Sequence, residues 1–210
     1  MLAIDLFCGL GGWTEGLLAE GYDVIGFDIE RRPYPAQLVL QDVLTLHGSQ
    51  VRNAALIVAS PPCQAYSYRA MPWKRAKALP PPDNTLFEAC FRIQREASEA
   101  AGRYIPLVVE NVRGAERWVG CARWKFGAYY LWGDVPAIMP YRDGYGQKVN
   151  RGRRGGWFGE YGGKDDHPIR NTSSNSPLRK QVSAQIAKIP FDLARHIARV
   201  YKSEIHCSCP

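Results

Sequence analysis

The sequence predicts an α/β fold: a doubly wound, mostly parallel sheet with a short basic, glycine-rich insertion. Three observations predict it. Short apolar runs alternate with segments of helical pattern. The first run, 2–7, ends in a glycine turn at Gly9, Gly11 and Gly12. The second, 23–28, ends in an acid, Asp28. A glycine turn lets backbone approach a ligand, and an acid one strand later accepts bonds from ribose hydroxyls. The turn is not Gly-x-Gly-x-x-Gly and has no lysine for phosphates. Taken alone, a purely structural glycine turn explains it as well.

The elements follow in order. After the first strand, 13–20 reads as a helix. Residues 37–40, followed by Asp42, read as a third strand end. The run 54–59 is a strand that stops at Ser60-Pro61-Pro62-Cys63-Gln64. Residues 65–82 are rich in proline and carry Arg69, Lys74, Arg75 and Lys77 with no acid, so they read as a basic loop. Asp83-Asn84-Thr85 can cap a helix over 86–101, with Leu86, Phe87, Cys90, Phe91 and Ala97 on one face. Another strand, 105–109, ends at Glu110-Asn111-Val112, and 128–132 reads as one more. From 181 to 202 the pattern is helical, broken at Pro190.

The chain of 210 residues carries 27 Lys and Arg against 20 Asp and Glu, a net charge of +7. The excess is concentrated. Residues 139–180 hold nine basic side chains, Arg151, Arg153 and Arg154 among them, against four acidic ones and eight of the 20 glycines. Two basic segments on a near-neutral body point to a polyanionic partner, nucleic acid first; a solvated basic surface is the alternative. No apolar run of about 18 residues is present, so no membrane span is expected. No basic flank precedes the first apolar run, which argues against a signal peptide. A soluble, cytoplasmic protein is expected. The six cysteines form no disulfide framework. No metal site is expected: His206, Cys207 and Cys209 lie too close together to wrap one ion tetrahedrally.

Cys63 follows a strand, so it sits at the carboxyl edge of the sheet, where ligands bind in such folds. A thiol there, between stiffening prolines and a basic loop, is a candidate nucleophile. Cys8 and Cys90 read as small packing residues. Glu110 ends a strand on the same edge. A carboxyl beside a thiol can bind or protonate a heterocycle; the alternative is an acid capping the next turn.

At these residues the sequence resembles the DNA cytosine-5 methyltransferases. Asp5-Leu6-Phe7-Cys8-Gly9-Leu10-Gly11-Gly12 looks like the family's cofactor motif, Pro61-Pro62-Cys63-Gln64 like its nucleophile motif, and Glu110-Asn111-Val112 like its base-binding motif. They occur in the family's order. The resemblance implies a Rossmann-like S-adenosylmethionine-dependent fold in two stretches, 1–138 and 181–202. Residues 139–180 would be a reduced target-recognition region, and 203–210 a tail. It implies S-adenosylmethionine as cofactor, with Phe7 on the adenine, Gly9 and Gly11 at the methionine end, Asp28 on the ribose and Asp42 at the adenine amino group. It implies double-stranded DNA as partner, a flipped cytosine, Cys63 attacking C6 and Glu110 on the N3 and N4 edge. Pro62, Gln64 and Asn111 would help hold the base. Arg69, Lys74, Arg75, Arg151, Arg153 and Arg154 would lie near phosphates. A monomeric, compact enzyme of the kind phages carry is expected, with low or very short sequence specificity.

Two further departures bear on chemistry. The family's Gln-x-Arg-x-Arg motif is absent; Arg123-Trp124-Lys125 lies near its place. That puts support of the glutamate in question. The segment Gln185-Ile186-Ala187-Lys188-Ile189-Pro190 looks like the family's last motif, with Ala187-Lys188 where Gly-Asn is usual. A lysine near a sulfonium is unfavourable. It becomes sensible if the cofactor carries an extra carboxylate, as carboxy-S-adenosylmethionine does, giving 5-carboxymethylcytosine. The alternative is a Lys188 that faces phosphate or solvent. An RNA cytosine methyltransferase, or a binding module that kept the fold without turnover, is a competing reading of the whole chain.

Overall fold

A computed structural model describes residues 1–67, 78–140 and 187–206, with side chains of the last helix described as far as Lys202. Arg69, Lys74, Arg75, Arg151, Arg153 and Arg154, and with them almost all of the insertion, lie outside the described residues.

The strands are β1 (Leu2–Leu6), β2 (Asp23–Asp28), β3 (Gln37–Leu40), β4 (Leu56–Ala59), β5 (Leu107–Asn111), β6 (Trp124–Phe126) and β7 (Tyr129–Gly133). The helices are α1 (Gly12–Ala19), α2 (Thr85–Ala101), a single turn α3 (Glu116–Val119) and α4 (Phe191–His206). One sheet runs in the order β3-β2-β1-β4-β5-β7-β6. The five strands from β3 to β5 are parallel; β7 is antiparallel to β5, and β6 to β7.

The central strands β1, β4 and β5 are almost wholly apolar, Asp5, Glu110 and Asn111 excepted, because both faces of the sheet are covered. Alternate residues feed two cores. Ala3, Leu56, Val58 and Val108 meet Trp13 and Leu17 of α1 and Leu193, Ala194 and Ile197 of α4. Ile4, Leu6, Ile57, Leu107 and Val109 meet Phe87, Cys90, Ile93 and Ala97 of α2. Full burial of each large side chain stabilises by roughly 1.5–3 kcal/mol. Cys8 and Cys90 are buried, as their reading as packing residues requires.

Three local features differ from the sequence expectation. The Asp83-Asn84-Thr85 cap works through Asp83, whose Oδ1 accepts from the Thr85 N–H at 2.8 Å; the Asn84 side chain instead accepts from the Tyr66 hydroxyl at 2.9 Å. Strand β5 runs two residues further than expected, because Glu110 and Asn111 still pair with Leu131 and Tyr130 of β7. The sequence reading gave no β6, and three residues are too few to carry a period.

The β2–β3 crossover, residues 29–36, has no helix, although parallel crossovers usually need a dozen residues or more. Tyr34 and Pro35 fill the helix's place. A Cβ on Gly26 would overlap the Tyr34 ring, and one on Gly11 would meet Pro35 Cδ at 2.7 Å.

Candidate active site

Strands β1, β4 and β5 are parallel neighbours, so their carboxyl ends open on one edge. The glycine turn follows β1, Ser60–Gln64 follows β4, and Glu110-Asn111 closes β5. The fold therefore gathers the three motifs that the sequence singles out.

The glycine turn is tight. Gly9 (φ 52°), Gly11 (φ 76°) and Phe7 (φ 59°) all have positive φ. Phenylalanine rarely adopts that conformation, and such strain concentrates at ligand sites. Asp28 faces the turn from β2: its Oδ2 accepts from the Gly9 N–H and its Oδ1 from the Glu30 N–H, both at 2.9 Å. Each oxygen keeps a lone pair for a hydroxyl. Asp42 is exposed beyond β3 and accepts from the Leu44 N–H at 2.9 Å. Ile29, 73% exposed, stands beside Asp28, with Leu40 and Leu44 also exposed nearby in sequence. Sequence reading passed over Ile29; an aliphatic placed directly after the acid that ends β2 was the available signal. Acceptors for hydroxyls beside exposed apolar side chains, with space over Gly9, fit an adenosyl group.

Beneath the turn, buried Asp5 accepts from the Thr14 hydroxyl at 2.7 Å, and Thr14 Oγ1 meets the Tyr34 hydroxyl at 2.5 Å. Among the described residues Asp5 Oδ1 has no hydrogen-bond partner. Burial pushes the Asp5 carboxyl up to about 7, against the pull of Thr14 and Tyr34.

Cys63 opens a hydrogen-bonded turn. Its carbonyl accepts from the N–H groups of Tyr66 and Ser67, and from Ser67 Oγ, all at 3.0 Å. The thiol is half-buried, and burial raises it above its ordinary value, with the Glu110 charge adding to the rise. The nucleophile at rest is a thiol. Asn111 ties this turn to β5: its Nδ2 donates to the Pro61 carbonyl at 3.0 Å, and its Oδ1 accepts from the Val112 N–H at 2.8 Å. Asn111 thus steadies the nucleophile turn. Pro62 and Gln64 are exposed at the turn.

Glu110 is 9% exposed, and burial pushes its carboxyl up to about 8, with a hydrogen bond from Ser60 pulling the other way. A buried carboxyl that stays neutral at pH 7 can donate a hydrogen bond. Trp13 Nε1 donates to Ser60 Oγ at 3.0 Å. Trp13 and Ser60 were not among the predicted site residues. Strand alternation was the usable signal for Ser60: it falls on the face of Leu56 and Val58, the face that α1 covers.

Lys188 lies beside the glycine turn, its Cγ 3.0 Å from where a Cβ on Gly12 would sit, and its Nζ pairs with Glu15 Oε1 at 2.5 Å. Arg123 and Lys125 lie on the hairpin between β5 and the sheet edge, where the Arg123 N–H donates to the Leu131 carbonyl. Among the described residues no cluster of His, Cys, Asp or Glu could hold a metal ion, and no helix is long and apolar enough to cross a membrane.

The family model for C-5 cytosine-specific DNA methylase matches residues 1–117. No curated protein matches the chain. Solved structures similar to it include a candidate DNA modification methyltransferase encoded within a prophage (E. coli), at 25% identity over 57% of this chain and 35% of that one, TM-score 0.42. A Dnmt2 variant from Spodoptera frugiperda matches at 20% identity over 56% and 37%, TM-score 0.40. The Entamoeba histolytica methyltransferase EhMeth matches at 16% over 62% and 52%, TM-score 0.42. The matched part spans between a third and about half of those solved chains.

Proposed function

Because the chain belongs to the C-5 cytosine-specific DNA methylase family, we propose that it alkylates C5 of a flipped cytosine in double-stranded DNA, with Cys63 as nucleophile. The observation that carries this reading is the pair formed by a half-buried thiol and a buried, neutral carboxyl at adjacent parallel strand ends.

Cys63 loses its proton to solvent and its sulfur bonds to C6. The C5–C6 pair of electrons moves to C5, and Glu110, as a neutral acid, donates to N3 and offsets the charge that develops on the ring. Once C5 carries the alkyl group that the bound cofactor would supply, loss of the C5 proton to solvent re-forms the double bond and expels the Cys63 thiolate. Phe7, Gly9, Gly11, Asp28, Asp42 and Ile29 would hold S-adenosylmethionine, which when bound supplies the electrophilic methyl group. Asn111 keeps the Cys63 turn in place. Pro62 and Gln64 border the base; Arg69, Lys74, Arg75, Arg151, Arg153 and Arg154 meet phosphates. Residues 139–180 serve as a reduced recognition region of low or very short specificity. The protein works as a monomer in the cytoplasm.

A narrower reading concerns the transferred group. The Lys188 stem lies against Gly12, within the glycine turn, and its ammonium is neutralised by Glu15. A carboxylate on the cofactor would take up that ammonium in place of Glu15, which favours carboxymethyl transfer from carboxy-S-adenosylmethionine.

Two assays test both levels. Trapping with 5-fluorocytosine DNA gives a covalent adduct in wild type and none in Cys63→Ala. Mass spectrometry of digested DNA shows a methyl or a carboxymethyl increment according to the cofactor supplied. A carboxymethyl increment lost in Lys188→Asn supports the narrower reading; an increment unaffected by Lys188→Asn sinks it. DNA binding without adduct or increment favours a binding module, and an increment on RNA alone moves the substrate to RNA.

A further inference from the structure

A neutral carboxyl has two oxygens, and recognition depends on which one carries the proton. Around Glu110 the neighbours decide this. Strands β4 and β5 pair in parallel with Ala59 opposite Val109, so one residue further Ser60 and Glu110 stand side by side. By strand alternation both belong to the face that α1 covers. Trp13, at the start of α1 and 1% exposed, brings its indole N–H to 3.0 Å from Ser60 Oγ.

The hydrogen-bond inventory then runs one way. An indole N–H donates and cannot accept. Ser60 therefore accepts from Trp13 and keeps its single O–H to donate. The acceptor that the β4–β5 register sets beside it is the Glu110 carboxyl, whose proton affinity Ser60 lowers. The oxygen of Glu110 that faces Ser60 receives a proton bond and so serves as an acceptor.

We propose that Trp13 and Ser60 are positioning residues that fix the polarity of Glu110, holding its proton on the oxygen turned away from Ser60, as a donor to the ring nitrogen of the target base. A fixed donor selects bases by chemistry. Cytosine N3 offers a lone pair, whereas thymine and uracil N3 carry a hydrogen, so the donor accepts the first and opposes the others. The relay also answers the missing arginine motif: the glutamate is braced through β4 and α1. The inference rests on the cytosine reading above.

The test separates the two. Infrared difference spectra between a Cys63→Ala parent and the same protein with Glu110→Gln isolate the stretch of the neutral carboxyl. The parent lacks Cys63, the titratable group coupled to Glu110 among the described residues, and Leu131 faces Glu110 from β7. Adding Ser60→Ala is expected to move the stretch to higher frequency and the titration midpoint upward, by about one pH unit for the loss of one hydrogen bond. Ser60→Thr, which keeps the hydroxyl, restores both. Trp13→Phe shifts the band as well, because Ser60 is then free to accept. An unchanged band and midpoint in Ser60→Ala that keeps its fold by circular dichroism would overturn the relay. Base transfer is read separately, in proteins that keep Cys63. If wild type alkylates cytosine and the band does not move, the relay falls alone. If the band moves and wild type alkylates no cytosine, the relay stands and the cytosine reading falls.

Discussion

Two buried carboxyls, Asp5 and Glu110, are held above the ordinary carboxylate range by burial, at about 7 and about 8. Both favour the protonated form when folded, so the stability they contribute is full below their unfolded values and is lost as pH rises through the folded ones. For Glu110 that window runs from 4.5 to about 8. Glu110→Gln is therefore expected to raise the melting temperature at pH 8.5 and to change it little near pH 5, on a scale of about 1.4 kcal/mol for each tenfold difference in proton affinity between the folded and unfolded chain. Calorimetry at the two pH values checks it; an equal effect at both would place the Glu110 proton elsewhere. The same ionisation shapes activity. Adduct formation is expected to fall on the alkaline side of about 8, where Glu110 loses the proton it offers.

Helix α1 follows directly on the glycine turn and carries Trp13, Thr14 and Glu15, so its seat on α4 sets the geometry of the site. That seat is close. Gly16 faces the backbone of Ala194 and Arg195, where a Cβ would overlap both. Glu20 anchors the other end through Arg195 and Arg199. Gly16→Ala is expected to push the helices apart and cost about 1–3 kcal/mol, the usual range for overpacking. A urea unfolding curve measures it, and a variant of unchanged midpoint would show that the helices can slide without loss. The 29–36 crossover is the second device at this scale. Tyr34 does the filling of a helix with one ring and one hydroxyl, and Tyr34→Phe should lose about 1 kcal/mol with its bond to Thr14. The β6–β7 hairpin closes the sheet edge, pinned where Asp134 Oδ2 accepts from the Leu107 N–H at 2.9 Å.

For the molecule as a whole, charge and fold are divided. The two cores are apolar and built on 1–67, 78–140 and 187–206. The positive excess lies mainly in 65–82 and 139–180. Affinity for DNA should therefore depend steeply on salt. Replacing Arg151, Arg153 and Arg154 by alanine is expected to lower the slope of log K against log salt by about 0.9 for each phosphate no longer neutralised, leaving 5-fluorocytosine trapping at low salt in place. Binding isotherms at several salt concentrations measure it. An unchanged slope would remove these arginines from the DNA interface.

Local pattern in the chain revealed every strand but β6, the helices α1 and α2, and the edge on which the chemistry gathers. A buried run, its terminating turn and the side chains at its end are neighbours in the chain, so local pattern reveals them: Gly9 and Gly11, Cys63 and Glu110 were all legible. Only the tertiary structure decided who faces whom. Lys188 meets Glu15 across 173 residues, and Trp13 meets Ser60 across 47. Tyr34 lies over Gly26 because a missing helix leaves room for it. No periodicity encodes these pairings. They arise when the parallel register aligns strand ends and helices pack over them, and that alignment gives a neutral Glu110 its neighbours.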